Sequence, residues 1–393
     1  MEQLKLDLFQ AYYDARRNKR NTINQLRFEI DYEHHLLALY KELIQGNYAI
    51  RKSITFIVDH PVKREIFAAD FRDRIIHHLI YNYINPVIDL QLIPHCYSCR
   101  KGKGTHYAVQ QMAEFMRACS ENYTRDCYVL KLDIRGYFMS INKQLLWEKL
   151  IVMLQSFVPL PAAGMDKETL LLLIDLVLWN DPTQSCTIKG KKSDWTGLPA
   201  TKSLFNNPKD CGLPIGNLTS QLFSNVYMHD FDCFVTSELG VEQYGRYVDD
   251  FVLIHPDKEF LLQAKGKIRI YLKEHCHLDL HPNKVYLQHY QKGFAFLGAY
   301  IKPHRIYIGN RTKKKFVETV RDNNLFLNRK VPDKNDLIAI RSSVNSYLGI
   351  MKHYKTYNIR KKMLLDKKNP PMILKYGYLK TVPHQSMVYT IKN

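Results

Sequence analysis

The chain is short of acidic residues for the number of basic ones that it carries. Over 393 residues, Asp and Glu total 38 whereas Lys and Arg total 57, which gives a formal net charge of +19. A surface this basic favours a polyanionic partner, either nucleic acid or an anionic membrane. With 46% hydrophobic and 24% charged residues, the composition is otherwise that of a globular protein.

Long hydrophobic runs are also lacking. The longest, LLLLIDLVLW at 170–179, carries Asp175 and is about half the ~20 residues that a membrane-spanning helix needs. The amino-terminal stretch MEQLKLDLFQ has no apolar signal core. We therefore expect a cytoplasmic location and no membrane partner.

Cysteine is sparse, and its eight residues are too few for a disulfide scaffold. A single C-x-x-C pair occurs, at Cys96 and Cys99. A structural zinc site needs a second pair of ligands at similar spacing, which the sequence does not show. We expect ordinary reduced thiols, and the sequence leaves any further role of this pair open.

Internal repeats are absent as well, and the hydrophobic patterns predict an α+β fold. Residues 1–48 are mostly helical in pattern, and 50–60 alternate as a strand does. A helix with apolar residues at helical spacing follows, and Pro86 is expected to end it. Short strands are predicted over 278–301 and helices from about 310. Because strands and helices do not alternate regularly, we expect a sheet covered by helices on one face.

Three aspartates stand out in this acid-poor chain. Asp133 ends a predicted strand, and Asp249 and Asp250 lie between two apolar stretches in GRYVDDFVLIH. The pair alone is also typical of a hairpin turn, which aspartate tolerates well. If the strand and the hairpin are neighbours, the three carboxylates meet, and their repulsion makes them costly without a cation. Oxygen ligands of this kind suit Mg²⁺.

Four motifs in a fixed order resemble those of reverse transcriptases. They are LKLDIRGYF at 130–138, GLPIGNLTSQ at 212–221, YVDD at 247–250, and KVYL with GFAFLGAYI within 284–301. The resemblance covers roughly residues 50–305. It implies an RNA-templated DNA polymerase, and it makes the metal-site interpretation of the aspartates preferable to the simple turn.

The resemblance implies a right-hand polymerase fold with fingers, a palm made of an antiparallel sheet backed by helices, and a helical thumb. An N-terminal helical extension is expected over 1–50 and the fingers over 51–126. The palm is expected over 127–301, with a helical insertion at about 142–210. The thumb and C-terminal tail then occupy 302–393.

The same resemblance implies a metal-binding catalytic site. Asp133, Asp249 and Asp250, with the carbonyl of Ile134, would bind two Mg²⁺ ions, for which Mn²⁺ can substitute. Two such ions clamp the attacking and leaving oxygens of a phosphoryl transfer. Lys284 matches the late lysine of the family and is a candidate proton donor to the pyrophosphate.

A second group of residues is expected to bind the incoming deoxynucleoside triphosphate. Backbone amides near a helix start bind phosphate, an Arg can bind it bidentately, and a bulky ring at Phe138 would exclude a 2′-hydroxyl. The expected nucleotide-binding residues are Lys63, Arg64, Gly136, Tyr137, Phe138, Ile215 and Gly216. The expected macromolecular partners are an RNA template and a DNA or RNA primer.

The form of the 212–221 motif narrows the resemblance to one group of reverse transcriptases. Group II intron enzymes usually have Gln-Gly followed by Ser-Pro, whereas this chain has Ile215-Gly216 and then Ser220-Gln221. The sequence looks like the enzymes of diversity-generating retroelements, which copy a template-repeat RNA into mutagenised cDNA with a small basic accessory protein. The isoleucine side chain lacks an amide, and apolar contact alone discriminates by only ~1–3 kcal/mol. The resemblance implies an error-prone enzyme that misincorporates opposite template adenines.

Two alternatives stay open at this point. The chain could be another bacterial-type reverse transcriptase, of a retron, a defence system or a group II intron maturase. It could also be a non-catalytic, basic RNA-binding protein with a polymerase-like fold, although the three intact aspartates argue against that function.

Overall fold

The computed structural model describes residues 2–17, 22–59, 62–155, 164–366, 369–382 and 385–392. Within these residues the chain forms fifteen α-helices and twelve β-strands, and short 3₁₀ turns, together with a π-helical turn at Phe234–Glu238, connect some of them. The predicted α+β fold class is therefore confirmed.

The helices are α1 (Glu2–Arg16), α2 (Ile23–Glu29), α3 (Tyr32–Ile44), α4 (Phe71–Gln91), α5 (Thr105–Cys119), α6 (Tyr137–Ser140), α7 (Lys143–Met153), α8 (Lys167–Trp179), α9 (Leu218–Tyr227), α10 (His229–Cys233), α11 (Lys258–Cys276), α12 (Asn310–Arg329), α13 (Lys334–Met351), α14 (Tyr357–Leu364) and α15 (Ile373–Tyr376).

The strands are β1 (Ser53–Val58), β2 (Arg64–Ala68), β3 (Tyr128–Asp133), β4 (Cys186–Ile188), β5 (Gln243–Tyr247), β6 (Asp250–His255), β7 (Tyr286–His289), β8 (Phe294–Phe296), β9 (Ala299–Lys302), β10 (Arg305–Ile308), β11 (Gly377–Val382) and β12 (Gln385–Ile391). They form four sheets, with the orders β2-β1-β4, β5-β6-β3-β7, β10-β9-β8 and β11-β12.

Contacts between residues divide the chain into two compact units. The first unit comprises Met1–Gly104, Lys131–Leu253 and Glu259–Tyr286. The second comprises Thr105–Leu130, Ile254–Lys258 and Leu287–Asn393.

Helix α4 is at the centre of the first unit, where it packs against α1 and α9. Its residues Ile75, Ile76, Leu79 and Ile80 recur at helical spacing and are at most 1% exposed. The carboxylate of Asp70 caps the helix start by accepting a hydrogen bond from the Arg72 amide. Burial of this apolar face stabilises the packing of α4 against α9, and thereby the position of the segment that precedes α9.

The prediction that Pro86 ends this helix is wrong, because α4 continues to Gln91. A proline inside a helix costs about 3 kcal/mol, since it removes a hydrogen bond and crowds the preceding turn. Ile84 and Ile88 lie on either side of it and are fully buried. Burying each such side chain contributes about 1.5–3 kcal/mol, so the packing on both sides offsets the cost of the proline.

The second unit has its own core, formed mainly by α12 and α13. Phe316 and Val320 of α12 face Val344 and Leu348 of α13 in this core, each at most 1% exposed. The sequence predicted helices from about 310 but not the hairpin β11–β12 that follows them. Tyr389 of β12 is 1% exposed, and its backbone exchanges two hydrogen bonds with the side-chain amide of Asn345.

Candidate active site

The end of β3 and the β5–β6 turn lie side by side in the first unit. The Ile134 amide, directly after Asp133, donates a hydrogen bond to the Asp249 carbonyl at 3.2 Å. The Asp133 carbonyl in turn accepts one from the His281 amide at 2.8 Å. The turn consists of Val248 and Asp249, so Asp250 is the first residue of β6 rather than part of the tip. Two backbone contacts therefore hold the end of the strand against its neighbours.

The β5–β6 turn has an unusual backbone. Val248 has a φ of +59°, a region that β-branched residues rarely occupy and that two-residue hairpin turns normally fill with glycine or asparagine. Arg246 Nη1 donates a hydrogen bond to the Val248 carbonyl at 3.0 Å. This contact stabilises a strained conformation immediately before the aspartate pair.

A buried ion pair holds Arg246 in place. Its guanidinium donates to both carboxylate oxygens of Asp232, at 2.7 and 2.6 Å, and both side chains are 0% exposed. Tyr244 Oη donates to the same carboxylate at 2.6 Å. Although burial alone would lower the pKa of Arg246, the charge of Asp232 holds it above its usual value. Sequence analysis missed this pair, since fourteen positions separate the two residues and nothing in their spacing suggests a contact.

Two lysines balance the charge of the aspartates. Lys284 Nζ lies 2.8 Å from both carboxylate oxygens of Asp133, and Lys131 Nζ lies 3.1 Å from Asp250 Oδ1. Partial burial, together with the negative charges of Asp133 and Asp250, raises the pKa of Asp249 to about 6. Three carboxylates in this small region therefore repel one another and attract cations.

The donor set fits a hard divalent cation in its chemistry. Carboxylate and carbonyl oxygens are the ligands that Mg²⁺ prefers, and Lys284 and Lys131 place ammonium groups where the aspartates attract positive charge. Across the part of the chain that the structure describes, no group of three or more His, Cys, Asp and Glu side chains is arranged to hold a metal ion. A metal bound by Asp133 would have to displace the ammonium of Lys284.

The segment after Asp133 turns sharply into the short helix α6. Gly136 has a φ of +57°, and a Cβ there would lie 3.1 Å from the Thr201 carbonyl. Tyr137 points away from the turn into the core, where its hydroxyl donates to the Ser224 carbonyl at 2.6 Å. Its side chain therefore anchors α6 to α9. The Arg135 amide of the turn donates a hydrogen bond to the Asp279 carbonyl at 2.8 Å.

Phe138 and Ile215 belong to one small apolar cluster around Phe67, although they are 77 positions apart in sequence. The Phe67 amide donates to the Ile215 carbonyl at 2.8 Å. Gly216 follows with a φ of +132°, and a Cβ there would lie 2.8 Å from the Phe67 carbonyl oxygen. Glycine is therefore required where this segment crosses β2. The structure thus brings three of the expected nucleotide-binding residues to one place.

The basic residues at the start of β2 have different surroundings. Lys63 Nζ donates to the Thr196 carbonyl at 2.7 Å, whereas Arg64 is exposed. The intervening strand residue Glu65 is buried, and it accepts hydrogen bonds from the Trp195 indole, the Ser203 hydroxyl and the Leu204 amide. This carboxylate was not singled out from the sequence, and it fixes the segment around 195–204 to β2.

The C-x-x-C pair packs against α9. The Cys96 thiol is buried between Arg246 and Asn225, and burial raises the pKa of Cys96. The Cys99 thiol lies 2.9 Å from Gln221 Oε1. Both cysteines are free thiols, and Cys96 contributes to the surroundings of Arg246.

Comparison with known proteins identifies the class of protein that this site belongs to. The family model described as "Reverse transcriptase (RNA-dependent DNA polymerase)" matches residues 63–301, which is more than half of the chain. The chain therefore belongs to the reverse transcriptase family. The matched region contains all of the aspartates, lysines and expected nucleotide-binding residues described above.

Particular relatives are more distant. Protein YkfC of Escherichia coli (strain K12) is 22% identical over 311 residues, which cover 70% of this chain and 72% of that protein. A C-terminally truncated apo telomerase from Candida tropicalis is 13% identical with a TM-score of 0.47, over 66% of this chain and 55% of the telomerase. Telomerase from Candida albicans, solved with a fragment of telomeric RNA, is 12% identical with a TM-score of 0.46, over 84% and 61%. The chain thus spans less than two thirds of these telomerase chains.

None of the helices in the described ranges is both long enough and apolar enough to cross a membrane.

Proposed function

We propose that the chain is an RNA-templated DNA polymerase whose catalytic carboxylates are Asp133, Asp249 and Asp250. The observation that carries the proposal is the contact between the end of β3 and the β5–β6 turn, inside the region that matches the family. It gathers acidic side chains from sites more than a hundred positions apart in a chain with a net charge of +19. Such a cluster is costly unless it binds cations.

The three carboxylates and the Ile134 carbonyl would hold Mg²⁺, or Mn²⁺ in its place, and such ions stabilise negative charge on the reacting oxygens. The chain's own residues do the remaining work. Arg246 holds the turn that carries Asp249 in its strained form. Lys284, which is paired with Asp133, would give a proton to the leaving pyrophosphate.

For the nucleotide, we propose a pocket bounded by β2 and the turn after Asp133. Arg64 is exposed and free to approach the phosphates, whereas Lys63 would first have to leave the Thr196 carbonyl. The amides of Gly136 and Tyr137 would bind phosphate oxygens. The ring of Phe138 would lie under the sugar and reject ribonucleotides.

We propose that an N-terminal extension is followed by fingers over 51–126, a palm over 127–301 and a thumb from 302 onwards. In this arrangement the palm carries the aspartates, and the segment around Ile215 faces β2 of the fingers. The template would be RNA and the primer DNA or RNA.

The direct test is deoxynucleotide incorporation on a primed RNA template with Mg²⁺, comparing the wild type with Asp249→Asn. Asparagine keeps the side-chain shape but removes a charge that the cations need. We expect incorporation to fall at least about 100-fold, because losing a metal ligand removes several kcal/mol of transition-state stabilisation. RNA affinity should change less than about threefold. Equal incorporation by both proteins would refute the assignment of Asp249, and RNA binding without incorporation by the wild type would favour a non-catalytic function.

We further propose that the enzyme is of the diversity-generating retroelement type and is error-prone at template adenines. Ile215 contacts the Phe67–Met139–Leu204 cluster with an apolar side chain, and only its backbone carbonyl is engaged in a hydrogen bond there. A pocket of this kind senses shape but offers no side-chain amide to the nascent base pair. The small basic accessory protein rests on the sequence resemblance alone.

Substituting Ile215 tests this proposal. Ile215→Gln should lower misincorporation opposite template adenine about 3–10-fold, since a hydrogen-bonding group adds discrimination that apolar contact lacks. The measurement is sequencing of primer-extension products, and Ile215→Val is the control because it keeps the site apolar. An unchanged error frequency at adenine in Ile215→Gln would argue against the retroelement type and leave the polymerase assignment intact.

A further inference from the structure

A basic concavity lies wholly within the second unit. It has a volume of about 630 Å³, and three stretches of chain line it: α5 with the residues after it, the β9–β10 turn, and the segment after α13. Among the described residues, no carboxylate lines it. Five cationic side chains do: Arg117, Lys302, Arg305, Lys352 and Lys355. We refer to it as the basic pocket.

The cations of the basic pocket are exposed, and the described residues provide them with no ion-pair partner. In the part of the chain that the structure describes, none of the five takes part in an ion pair of 4 Å or less. A nearby acid, Glu121, instead pairs with Arg125 at 2.8 Å. Single exposed lysines are ordinary, but five like charges around one concavity repel one another.

The geometry of the β9–β10 hairpin adds to this repulsion. Lys302 and Arg305 are directly opposite each other in the strand register, a placement that destabilises a sheet when the two charges have the same sign. The turn between them is held by His304, whose ring meets Tyr123 edge-on at 4.3 Å between centroids. Arg305 is held over the ring of Tyr307 at 4.5 Å. The hairpin therefore fixes two adjacent positive charges at the mouth of the pocket.

A simpler explanation covers only part of the cluster. Lys352 follows the C-terminus of α13, where the helix dipole favours a cation. The dipole of α13 does not account for the opposed pair Lys302 and Arg305 on the hairpin, or for Lys355 and Arg117. An anion with several regularly spaced charges would neutralise all five, and nucleic acid backbones have this property.

We propose that the basic pocket binds the phosphodiester backbone of nucleic acid, and that the backbone is that of an RNA. Because phosphate contacts carry no base information, binding here is independent of sequence and falls steeply with salt. The proposal goes beyond the polymerase function, since it concerns binding and does not require that the chain polymerise nucleotides.

The test uses the full chain and a labelled RNA hairpin, with affinity measured by fluorescence anisotropy between 50 and 300 mM salt, roughly the range over which such contacts dissociate. In the variant Lys352→Gln with Lys355→Gln, we expect RNA affinity to fall about 10-fold or more at the lower salt. The slope of log K against log salt should become shallower by about 1.4–1.8, since each of the two lost phosphate contacts contributes about 0.7–0.9. Lys361→Gln with Lys362→Gln is the matched control, because these exposed lysines on α14 lie outside the pocket.

A second variant separates binding from folding. Removing the opposed charges with Lys302→Gln and Arg305→Gln should weaken RNA binding to a similar extent while thermal unfolding stays the same or moves to higher temperature. Loss of RNA binding together with lower thermal stability would mean that the charges are structural and would overturn the proposal. An equal loss of affinity in the control pair would do so too, because total charge would then explain it.

Parallel titrations identify the ligand. A DNA hairpin of the same sequence shows which nucleic acid is preferred. If the variant Lys352→Gln with Lys355→Gln loses affinity for DNA only, the pocket binds a phosphodiester backbone, but the backbone is that of DNA and not of RNA. Vesicles containing phosphatidylserine test an anionic membrane, and a loss confined to vesicles would overturn the proposal. Incorporation on a short primed RNA is measured separately, so a wild type that binds RNA but incorporates nothing counts against the polymerase and not against the pocket.

Discussion

At the scale of single residues, the pair formed by Arg246 and Asp232 supports the β5–β6 turn, which carries the proposed catalytic residue Asp249. Arg246 connects a fully buried carboxylate to the carbonyl of Val248, and Val248 adopts a backbone conformation that its branched side chain disfavours. Arg246 and Asp232 are both buried, and both lie outside the motifs that resemble those of the family. We therefore regard them as positioning residues, which act on catalysis through the turn.

The pair can be separated into its structural and positioning roles by mutation. Asp232→Asn alone leaves a buried arginine without its counter-charge and should cost about 3–5 kcal/mol of unfolding free energy. The double variant Arg246→Met with Asp232→Asn removes both charges, keeps an acceptor for Tyr244 and should recover most of that loss. Its kcat should nevertheless stay at least about 10-fold below wild type, because the Val248 carbonyl has lost its donor.

Urea unfolding and steady-state incorporation on primed RNA measure the two effects. A double variant that regains stability and also regains wild-type kcat would show that the pair has only a structural role. A fall in kcat with little change in the nucleotide KM is the result that positioning predicts.

The same residues show what the sequence could and could not predict. Asp133, Asp249 and Asp250 could be proposed from the sequence because their type, flanking pattern and order match a family. Arg246 was adjacent to that pattern, but its importance depends on Asp232, a partner brought near by α10 and β5. Glu65 was missed for the same reason, since its three donors come from residues 130 or more positions later.

At the scale of elements, the contact between α4 and α9 helps to position the segment just before α9, which contains Ile215. His77 of α4 is buried and hydrogen-bonds Thr219 at the start of α9, with 2.8 Å between Nδ1 and Oγ1. Burial, with smaller effects of His78 and Arg74, lowers the pKa of His77 to about 3. The folded protein therefore holds this histidine neutral at pH values where the unfolded chain protonates it.

This shift predicts a loss of stability in mild acid. Since the folded pKa lies below the unfolded value of about 6.5, the contribution of His77 is complete above pH 6.5 and declines as the pH falls towards 3. The slope approaches about 1.4 kcal/mol per pH unit well below pH 6.5. His77→Gln, which stays neutral and can still bond Thr219, should make the unfolding free energy about 1 kcal/mol less pH-dependent between pH 6.5 and 5.5.

Urea unfolding at both pH values is the measurement, and the exposed His34→Gln is the matched control. If His77→Gln and the wild type lose stability equally on acidification, His77 is not the buried neutral group that the structure describes.

Elements were predicted well where periodicity was strong and poorly where packing overrode it. The helix containing Ile75 and Leu79 followed from spacing alone, but its continuation through Pro86 depends on the burial of Ile84 and Ile88, which a single sequence does not reveal. The β11–β12 hairpin was missed, and its attachment to α13 depends on a hydrogen bond between Tyr389 and Asn345, which are 44 positions apart.

At the scale of the whole molecule, the charge is distributed unevenly. A chain with a net charge of +19 places the strand end that carries Asp133 against the turn that carries Asp249. It also collects, in one concavity of the second unit, five cations that form no ion pair within the described residues. The α+β class and the family follow from the sequence. The basic pocket did not, because its cations come from three chain segments, the first and last of which are more than two hundred positions apart.

The central claim is that Asp133, Asp249 and Asp250 form one site for divalent cations, and direct counting of bound Mn²⁺ by electron paramagnetic resonance tests it without any need for catalysis. The wild type should bind Mn²⁺, and affinity should fall at least about 10-fold in Asp133→Asn and in Asp249→Asn. The exposed control Asp210→Asn should bind as the wild type does. Equal Mn²⁺ binding by all four proteins would contradict the account.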